Sequence, residues 1–211
     1  MKKLLNNTIP KIPDFHFEES YILKGFSRIV GVDEAGRGPL AGPVVASAVW
    51  LPENLAEWGI KDSKLLTAIK RDEIFELLIN SNADIGIGIV NHRKIDEINI
   101  YQAAKLAMIK AVKRLSISPD CLLVDGMPLD NFSICYEKII KGDRKVLSIA
   151  AASVVAKVTR DRIMKKFDIL YPGYGFARHK GYPTKFHIEQ LTKLGVSPIH
   201  RRTFKPVARL L

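Results

Sequence analysis

The segment Ile29–Pro43 constrains the fold of this chain more than any other. It places two adjacent carboxylates, Asp33 and Glu34, at the end of an apolar run that is typical of a β-strand. A glycine-arginine-glycine turn, Gly36–Gly38, follows directly, and the apolar run Val44–Leu51 predicts a second strand. Carboxylate oxygens suit a hard divalent cation, and glycines let a backbone approach a phosphate or a sugar closely. The combination points to phosphoester chemistry.

Two other interpretations of this segment stay open. The glycines fit the loose dinucleotide-binding pattern G-x-G-x-x-G/A through Gly36, Gly38 and Ala41, which would suit a nicotinamide-dependent oxidoreductase. That fold needs a helix opening within the glycines, but Pro39 and Pro43 interrupt a helix start and a strand-like run follows. An isolated Asp-Glu pair is also typical of a solvated turn, as in a non-catalytic nucleic-acid-binding protein.

Composition limits the class of protein further. With 211 residues, 47% of them hydrophobic, the chain suits one core-forming domain with a small appendage. No apolar run approaches the roughly 20 residues that span a bilayer, and the N-terminus lacks the long apolar region of a secretory signal. Cys121 and Cys135 form no C-x-x-C pair and are expected to be buried free thiols. A cytoplasmic protein without membrane contact is expected.

The net charge of +11 is not spread evenly along the chain. Residues 178–211 carry eight Lys or Arg and a single acid, Glu189. Because a polyphosphate backbone rewards clustered cations through counterion release, nucleic acid is the expected partner. The histidines of this part, His179, His187 and His200, are interpreted as polar or phosphate-facing surface residues, since no catalytic partner is evident.

Sequence patterns divide the chain into an N-terminal extension (1–27), a main domain (28–170) and a basic helical C-terminal segment (171–211). Alternating and apolar runs predict strands over residues 28–33, 44–51, 84–90, 121–125 and 133–140. Helical spacing predicts helices over 69–79, 99–115 and 147–170, and one that Thr184 caps and Gly195 stops. This order of elements predicts an α/β fold with a mixed β-sheet flanked by helices and a small helical C-terminal segment.

Two of the predicted strands end in acid, one at Asp33 and Glu34 and the other at Asp125. Since sites in α/β sheets gather at strand ends, these acids would meet if their strands are neighbours. Asp143 precedes the alanine-rich helix and is a further candidate, with Asp161 as its competitor. Taken singly, Asp125 also fits a turn, and Asp143 and Asp161 fit exposed ion pairs.

Converging carboxylates repel one another, and divalent ions relieve this repulsion by supplying positive charge. Two ions about 3.5–4 Å apart would hold a phosphodiester and activate a water for in-line attack. Magnesium or manganese fits ligation by oxygens alone, whereas zinc would need a His/Cys cluster with ligand spacing that the sequence lacks.

With these residues in view, the sequence resembles the ribonuclease HII family. The motifs that carry the resemblance are Gly31–Pro43, Asp62-Ser63-Lys64, Asp125-Gly126, Lys141-Gly142-Asp143, Ile149–Asp161 and His179–Thr184. It implies an RNase H-like catalytic domain over 28–170 and a metal-dependent endoribonuclease. Such an enzyme cleaves the RNA strand of RNA-DNA hybrids and nicks 5' of single ribonucleotides embedded in duplex DNA, leaving 3'-OH and 5'-phosphate ends. Ribonuclease HIII is the close competitor, although that type usually carries an extra N-terminal domain for which 27 residues leave no space.

The resemblance also implies roles for single residues. The catalytic, metal-binding carboxylates would be Asp33, Glu34, Asp125 and Asp143, with Mn2+ or Mg2+ as the cofactor. The substrate-binding residues would be those of the turn together with three later ones: Gly36, Arg37, Gly38, Tyr182, Lys64 and Lys180. Tyr182 offers a flat ring for stacking on a sugar or base, and only the 2'-hydroxyl distinguishes RNA from DNA at one position. A monomer is expected.

Overall fold

The computed structural model describes residues 13–52, 60, 63, 66–129 and 132–211. Within them, the strands are β1 Ile29–Ala35, β2 Val44–Trp50, β3 Asp84–Val90, β4 Cys121–Asp125 and β5 Cys135–Ile139. The helices are α1 His16–Ile22, α2 Ala68–Ile79, α3 His92–Val112, α4 Leu147–Leu170, α5 Phe176–His179, α6 Lys185–Leu194 and α7 Lys205–Ala208, with a 3-10 turn at Gly142–Arg144. No helix among the described residues is long and apolar enough to cross a bilayer.

The strands form one mixed sheet in the order β3-β2-β1-β4-β5, which confirms the predicted architecture. The first three strands are antiparallel neighbours, whereas β4 is parallel to β1 and β5 is parallel to β4. Val32 of β1 lies beside Val124 of β4, so the carboxyl ends of these strands meet at one edge of the sheet. Cys121 and Cys135 face each other across β4 and β5 as free thiols, the first buried and the second half-buried.

Each face of the sheet is covered by a long helix. Val32 and Val124 share one apolar cluster with α3, and Leu123 packs on the other face against the start of α4. A Cβ at Gly31 would lie 2.2 Å from the backbone of Ser148, so α4 sits directly on the backbone of β1. Because side chains alternate along a strand, Asp33 and Asp125 belong to the α4 face.

Helix α3 differs from its predicted range of 99–115. It begins at His92, because Asn91 caps it by accepting a hydrogen bond of 2.9 Å from the N–H of Lys94. Asn99 breaks it with a φ of 65°, and its side chain accepts from the N–H of Tyr101. The sequence pattern therefore detected only the part of α3 that restarts after this break. By contrast, α4 spans the predicted range of 147–170.

The described parts of both terminal segments hydrogen-bond to the main domain. Glu18 of α1 is buried and accepts from the N–H of Ser148 at the start of α4. Leu40, in the loop between β1 and β2, donates its N–H to Gly181 and accepts from the N–H of Arg201, both at 2.8 Å. The boundaries at 27 and 170 thus divide segments that are in contact, and the division into three parts stays a prediction.

Candidate metal centre and substrate-binding turn

Three carboxylates converge at the edge where β1 and β4 end. One oxygen each from Asp33, Asp125 and Asp143 lies within 4.8 Å of the others, and Asp33 and Asp143 are only 4% and 2% exposed. The side chain of Asp33 accepts from the N–H of Glu34 and is hydrogen-bonded to the hydroxyl of Ser153 on α4. Two of the strand-end acids, Asp33 and Asp125, therefore meet on the face of the sheet that α4 covers, as expected for neighbouring strands.

Asp143 reaches this cluster through an unusual backbone conformation. Lys141 adopts the left-handed region, with φ 56° and ψ 46°, and the 3-10 turn that contains Asp143 follows it. The N–H of Gly142 donates to Asp125 at 2.7 Å, which ties this turn to the end of β4. Asp161, the competing candidate, lies outside the cluster and forms an ion pair of 2.5 Å with Lys157 instead.

Glu34 stands apart from the three aspartates because neighbouring residues of a strand point to opposite faces. Its Oε1 lies 3.3 Å from a guanidinium nitrogen of Arg37, and its Oε2 is buried without a hydrogen-bond partner among the described residues. Burial raises the pKa of Glu34 to about 7, Arg37 opposes this shift, and the charge of Asp125 adds to it. Glu34 thus links the acidic cluster to the glycine-arginine-glycine turn.

The electrostatics of the cluster suit a divalent cation. Burial raises the pKa of Asp33 well above its usual range, and the charges of Glu34 and Asp125 raise it further. Oxygens on opposite sides of one magnesium ion are about 4.2 Å apart, so a spacing within 4.8 Å needs only small adjustments. Glu34 adds a buried oxygen without a hydrogen-bond partner among the described residues beside this site. An all-carboxylate donor set fits Mg2+ or Mn2+.

The loop that contains the turn is held by two buried arginines. Arg201 donates to the carbonyl oxygens of Gly36, Arg37, Gly42 and Pro43 at 2.6–3.2 Å. Arg160 of α4 donates to the carbonyls of residues 41, 43 and 180, so a single guanidinium joins the part of the loop after the turn to the later segment. The sequence analysis grouped Arg201 with the basic residues of the C-terminal segment, because nothing in the sequence distinguishes a buried arginine from an exposed one.

This support decides what the turn offers to a ligand. The carbonyls of Gly36 and Arg37 point toward Arg201, and in a trans peptide the following N–H points the opposite way. The N–H groups of Arg37 and Gly38 therefore face outward, and neither donates to another described residue. Gly36 has a φ of 102°, and a Cβ there would lie 2.1 Å from Arg160, so only glycine fits.

Tyr182 lies opposite the glycine-arginine-glycine turn. Tyr182 is 42% exposed, and a Cβ built on Gly38 would lie 3.5 Å from its ring, so turn and ring face each other. Lys180 adopts the left-handed region with a φ of 53°, a conformation that is rare for lysine. The structure thus brings Gly36, Arg37, Gly38 and Tyr182 together near Glu34, whereas Lys64 lies outside the described residues.

The three histidines are buried, so their interpretation as surface residues was wrong. His200 accepts from the N–H of Ser197, the two Nε2 atoms of His200 and His187 are 3.1 Å apart, and Nδ1 of His187 lies 2.9 Å from the carbonyl of Tyr182. These contacts are all satisfied only if both rings are neutral and each donates in the same direction, toward Tyr182. The histidines support the segment that carries the exposed tyrosine.

This arrangement predicts a loss of stability in mild acid. Burial lowers the pKa of His187 and His200 to about 4, whereas an unfolded chain takes up these protons near pH 6.5. The stability that these two histidines contribute is fully present above pH 6.5 and falls as the pH drops toward 4, by about 2 kcal/mol per histidine at pH 5. Because the raised pKa values of Asp33 and Glu34 act in the opposite direction, urea unfolding at pH 7 and pH 5 measures this contribution as the difference between the wild type and His187→Gln. His16→Gln, at an exposed position, should leave the loss unchanged, and a His187→Gln variant with undiminished pH dependence would contradict the assignment.

A mixed sheet with carboxylates at the ends of parallel neighbours, next to an outward-facing backbone turn, defines a metal-dependent nuclease with an RNase H-like fold. The sequence profile of "Ribonuclease HII" matches residues 30–207. Two curated proteins named ribonuclease HII are similar over most of this chain. The one from Leuconostoc mesenteroides is 50% identical over 93% of this chain and 78% of its own length, and the one from Listeria innocua is 52% identical over 90% and 73%. The chain belongs to the ribonuclease HII family and is a metal-dependent RNase H hydrolase of type HII.

Solved structures agree with this assignment. Ribonuclease H2 from Pyrococcus horikoshii has a TM-score of 0.75 and 30% identity, covering 87% of this chain and 97% of its own. The RNase HII in a PCNA complex from Archaeoglobus fulgidus has a TM-score of 0.73 at 24% identity, covering 84% and 95%, and supports the fold. Bst-RNase HIII with Mn2+ shares the fold at a TM-score of 0.67 and 15% identity, covering 87% and 68%. The dinucleotide-binding alternative is wrong, because antiparallel β2, not a helix, follows the glycines.

Proposed function

We propose that this ribonuclease HII nicks duplex DNA 5' of single embedded ribonucleotides, in addition to cleaving the RNA strand of RNA-DNA hybrids. The observation that carries the proposal is the link between the two halves of the site. Arg37 of the glycine-arginine-glycine turn is paired with Glu34, which adjoins the carboxylate cluster. A ribose gripped by the turn would therefore lie next to the groups that act on its phosphodiester.

The residues of the turn suit recognition of a single ribose. The outward N–H groups of Arg37 and Gly38 would donate to a 2'-hydroxyl or an adjoining phosphate oxygen. The ring of Tyr182 would stack on the sugar or base of the same nucleotide. Because Arg201 fixes the backbone of this turn before substrate arrives, little ordering entropy is lost on binding.

We assign the cation ligands to Asp33, Asp125 and Asp143, with Glu34 as the fourth carboxylate. Two Mg2+ or Mn2+ ions, when bound, would supply the charge that activates a water and stabilises the leaving 3' oxygen, giving 3'-OH and 5'-phosphate ends. The hydrogen bonds to Asp33 from Ser153 and to Asp125 from Gly142 would hold these two carboxylates in place. The proposal further takes the enzyme to be a monomer in the reducing cytoplasm, where its two cysteines stay free thiols.

The decisive assay uses three labelled duplexes: all-DNA, DNA with one ribonucleotide, and an RNA-DNA hybrid. With Mg2+ or Mn2+, we expect nicking 5' of the single ribonucleotide, cleavage of the hybrid, and no cutting of plain DNA. A protein that binds all three equally, with or without metal, would instead match the non-catalytic alternative. A preference for long RNA runs with no nicking at a single ribonucleotide would indicate a specificity of the HIII type.

Replacing Tyr182 tests the recognition half of the site. Tyr182→Ala is expected to lower kcat/KM at a single ribonucleotide about 5- to 150-fold, the range for the loss of one base-aromatic stack. Tyr182→Phe keeps the ring and should retain most of the activity. Tyr101 of α3 is also 42% exposed, so Tyr101→Ala serves as the control. Equal rates for the two alanine variants would remove Tyr182 from the site.

A further inference from the structure

A second feature lies along α4, which also supplies Ser153 to the carboxylate site. A cleft of about 310 Å³ opens between α2, α4 and the end of α5. It is lined by six cationic side chains: Arg71, Lys157, Arg162, Lys165, Arg178 and Lys180. Two acids, Asp72 and Asp161, are among the other lining residues. We refer to this surface as the basic cleft.

Internal pairing leaves half of the positive charge of the basic cleft uncompensated. Asp161 is paired with Lys157 at 2.5 Å, and Arg162 is paired with both Asp72 at 3.1 Å and Glu76 at 2.8 Å. These three acids leave an excess of three positive charges on the six cationic residues. Among the described residues, no hydrogen bond or ion pair engages the side chain of Lys165 or of Arg178. A cleft with this charge is suited to a ligand that carries several negative charges.

The anchoring of two of these cations indicates that the basic cleft is preformed. The guanidinium of Arg71 donates to the carbonyls of Ser63 and Leu66 at 2.8 and 2.6 Å, which fixes its position. Lys180 is held in the left-handed region, and its carbonyl accepts from Arg160. Non-glycine residues in such conformations concentrate at ligand sites, because the surrounding structure must compensate their strain.

The basic cleft is continuous with the carboxylate site along α4. Ser153, which is hydrogen-bonded to Asp33, is followed at intervals of four by Lys157, Asp161 and Lys165. Residues four apart are neighbours on a helix surface. At 1.5 Å per residue, Lys157 lies about 6 Å and Lys165 about 18 Å along the axis from Ser153. The cations therefore form a path that leads away from the reacting centre.

We propose that the basic cleft binds backbone phosphates of the nucleic-acid duplex on one side of the cleaved position, up to about five nucleotides away. The distance follows from the length of the path and a rise of about 3.4 Å per nucleotide. This inference rests on the proposed function and extends it from the single ribonucleotide to the flanking duplex. A polynucleotide fits better than a free phosphate, because Lys157 and Lys165 are about 12 Å apart along α4, farther than one phosphate reaches.

Neighbouring lysines of α4 provide a matched test. Lys165 lines the basic cleft, whereas Lys166 is exposed on the same helix and does not. Lys165→Glu and Lys166→Glu change the net charge equally, so a general electrostatic effect would be the same in both. Affinity is measured by fluorescence anisotropy on a duplex with one ribonucleotide, without divalent metal, over a series of salt concentrations. We expect Lys165→Glu to weaken binding at least about fivefold and Lys165→Gln to lower the salt slope by about 0.9, the value for one lost phosphate contact.

Duplex length supplies the second arm. When one of the two flanks of the ribonucleotide is shortened to two base pairs, the binding defect of Lys165→Glu should disappear, whereas shortening the other flank should leave it intact. Arg178→Glu, at an exposed position on α5, should reproduce the behaviour of Lys165→Glu. Indistinguishable affinities of Lys165→Glu and Lys166→Glu for the duplex would overturn the proposal. So would a Lys165→Glu variant that binds the duplex as tightly as the wild type and differs only in how strongly tripolyphosphate competes. Failure of the wild type to nick the duplex would instead contradict the proposed function, so the two failures are distinguishable.

Discussion

Asp33→Asn and Asp125→Asn are each expected to lower the rate of ribonucleotide nicking by at least about 100-fold. Losing only an outer partner of a metal ligand costs about 10- to 100-fold, and here the ligand itself is changed. Both aspartates contribute an oxygen to the cluster within 4.8 Å. Single-turnover cleavage with saturating Mn2+ or Mg2+ measures the loss. Asp120 lies just before the other end of β4, and Asp120→Asn is the control that should keep the normal rate.

Although these substitutions lower activity, they should raise the stability of the metal-free protein. Burial and the neighbouring acids disfavour the charged form of Asp33, so removing one negative charge relieves repulsion in the folded state. We therefore expect metal-free Asp33→Asn to melt above the metal-free wild type. Added Mn2+ should raise the melting temperature of the wild type but have much less effect on the variant, because a ligand that binds the folded state more weakly stabilises it less. A variant that cuts normally, or that gains the full Mn2+ shift, would show that the wrong acid was chosen.

The acidic half of the site was predictable because its information is local. Alternation and apolar runs marked β1 and β4, and acids at the ends of two strands needed only parallel pairing to meet. The pattern could not supply that pairing, nor the position of Asp143. That position depends on the left-handed backbone of Lys141, a conformation that is rare for lysine and that the sequence therefore does not predict.

The supporting half was not predictable, because it depends on contacts between distant segments. Arg37 and Arg201 are 164 positions apart, and their contact joins a side chain to a backbone carbonyl, so it leaves no periodic pattern. Arg201 was counted with the basic residues of the C-terminal segment, although it is fully buried. His187 and His200 were misinterpreted for the same reason, since neutral buried histidines and exposed ones look alike in a sequence. Burial, not charge, separates these residues from the exposed cations of the C-terminal segment.

Arg201→Lys is expected to be the most damaging of the conservative substitutions. Burial lowers the pKa of the Arg201 guanidinium to about 9, so it stays charged at neutral pH and its charge is met by backbone carbonyls. Lysine keeps the charge, but its ammonium is not the planar fork that reaches four carbonyls at once. Hydrogen bonds to a charged group contribute about 1.5–3 kcal/mol each, so losing one or two should lower the free energy of unfolding by about 2–5 kcal/mol.

A structural arginine and a positioning arginine give different results in this test. If Arg201 orients the turn, Arg201→Lys should raise KM for the single-ribonucleotide duplex more than for the RNA-DNA hybrid, because N–H groups that no longer face outward weaken recognition of one ribose. Arg202→Lys, at the adjacent exposed position, should change stability by less than about 0.5 kcal/mol and leave both KM values unchanged. Removing all residues after 183 would not test the contribution of the basic C-terminal charges alone. The truncation also deletes Arg201 and leaves four carbonyls of the loop between β1 and β2 without their donor. If Arg201→Lys were as stable as the wild type, the four carbonyls would have found other donors. That result would contradict the conclusion that Arg201 holds the turn in its conformation.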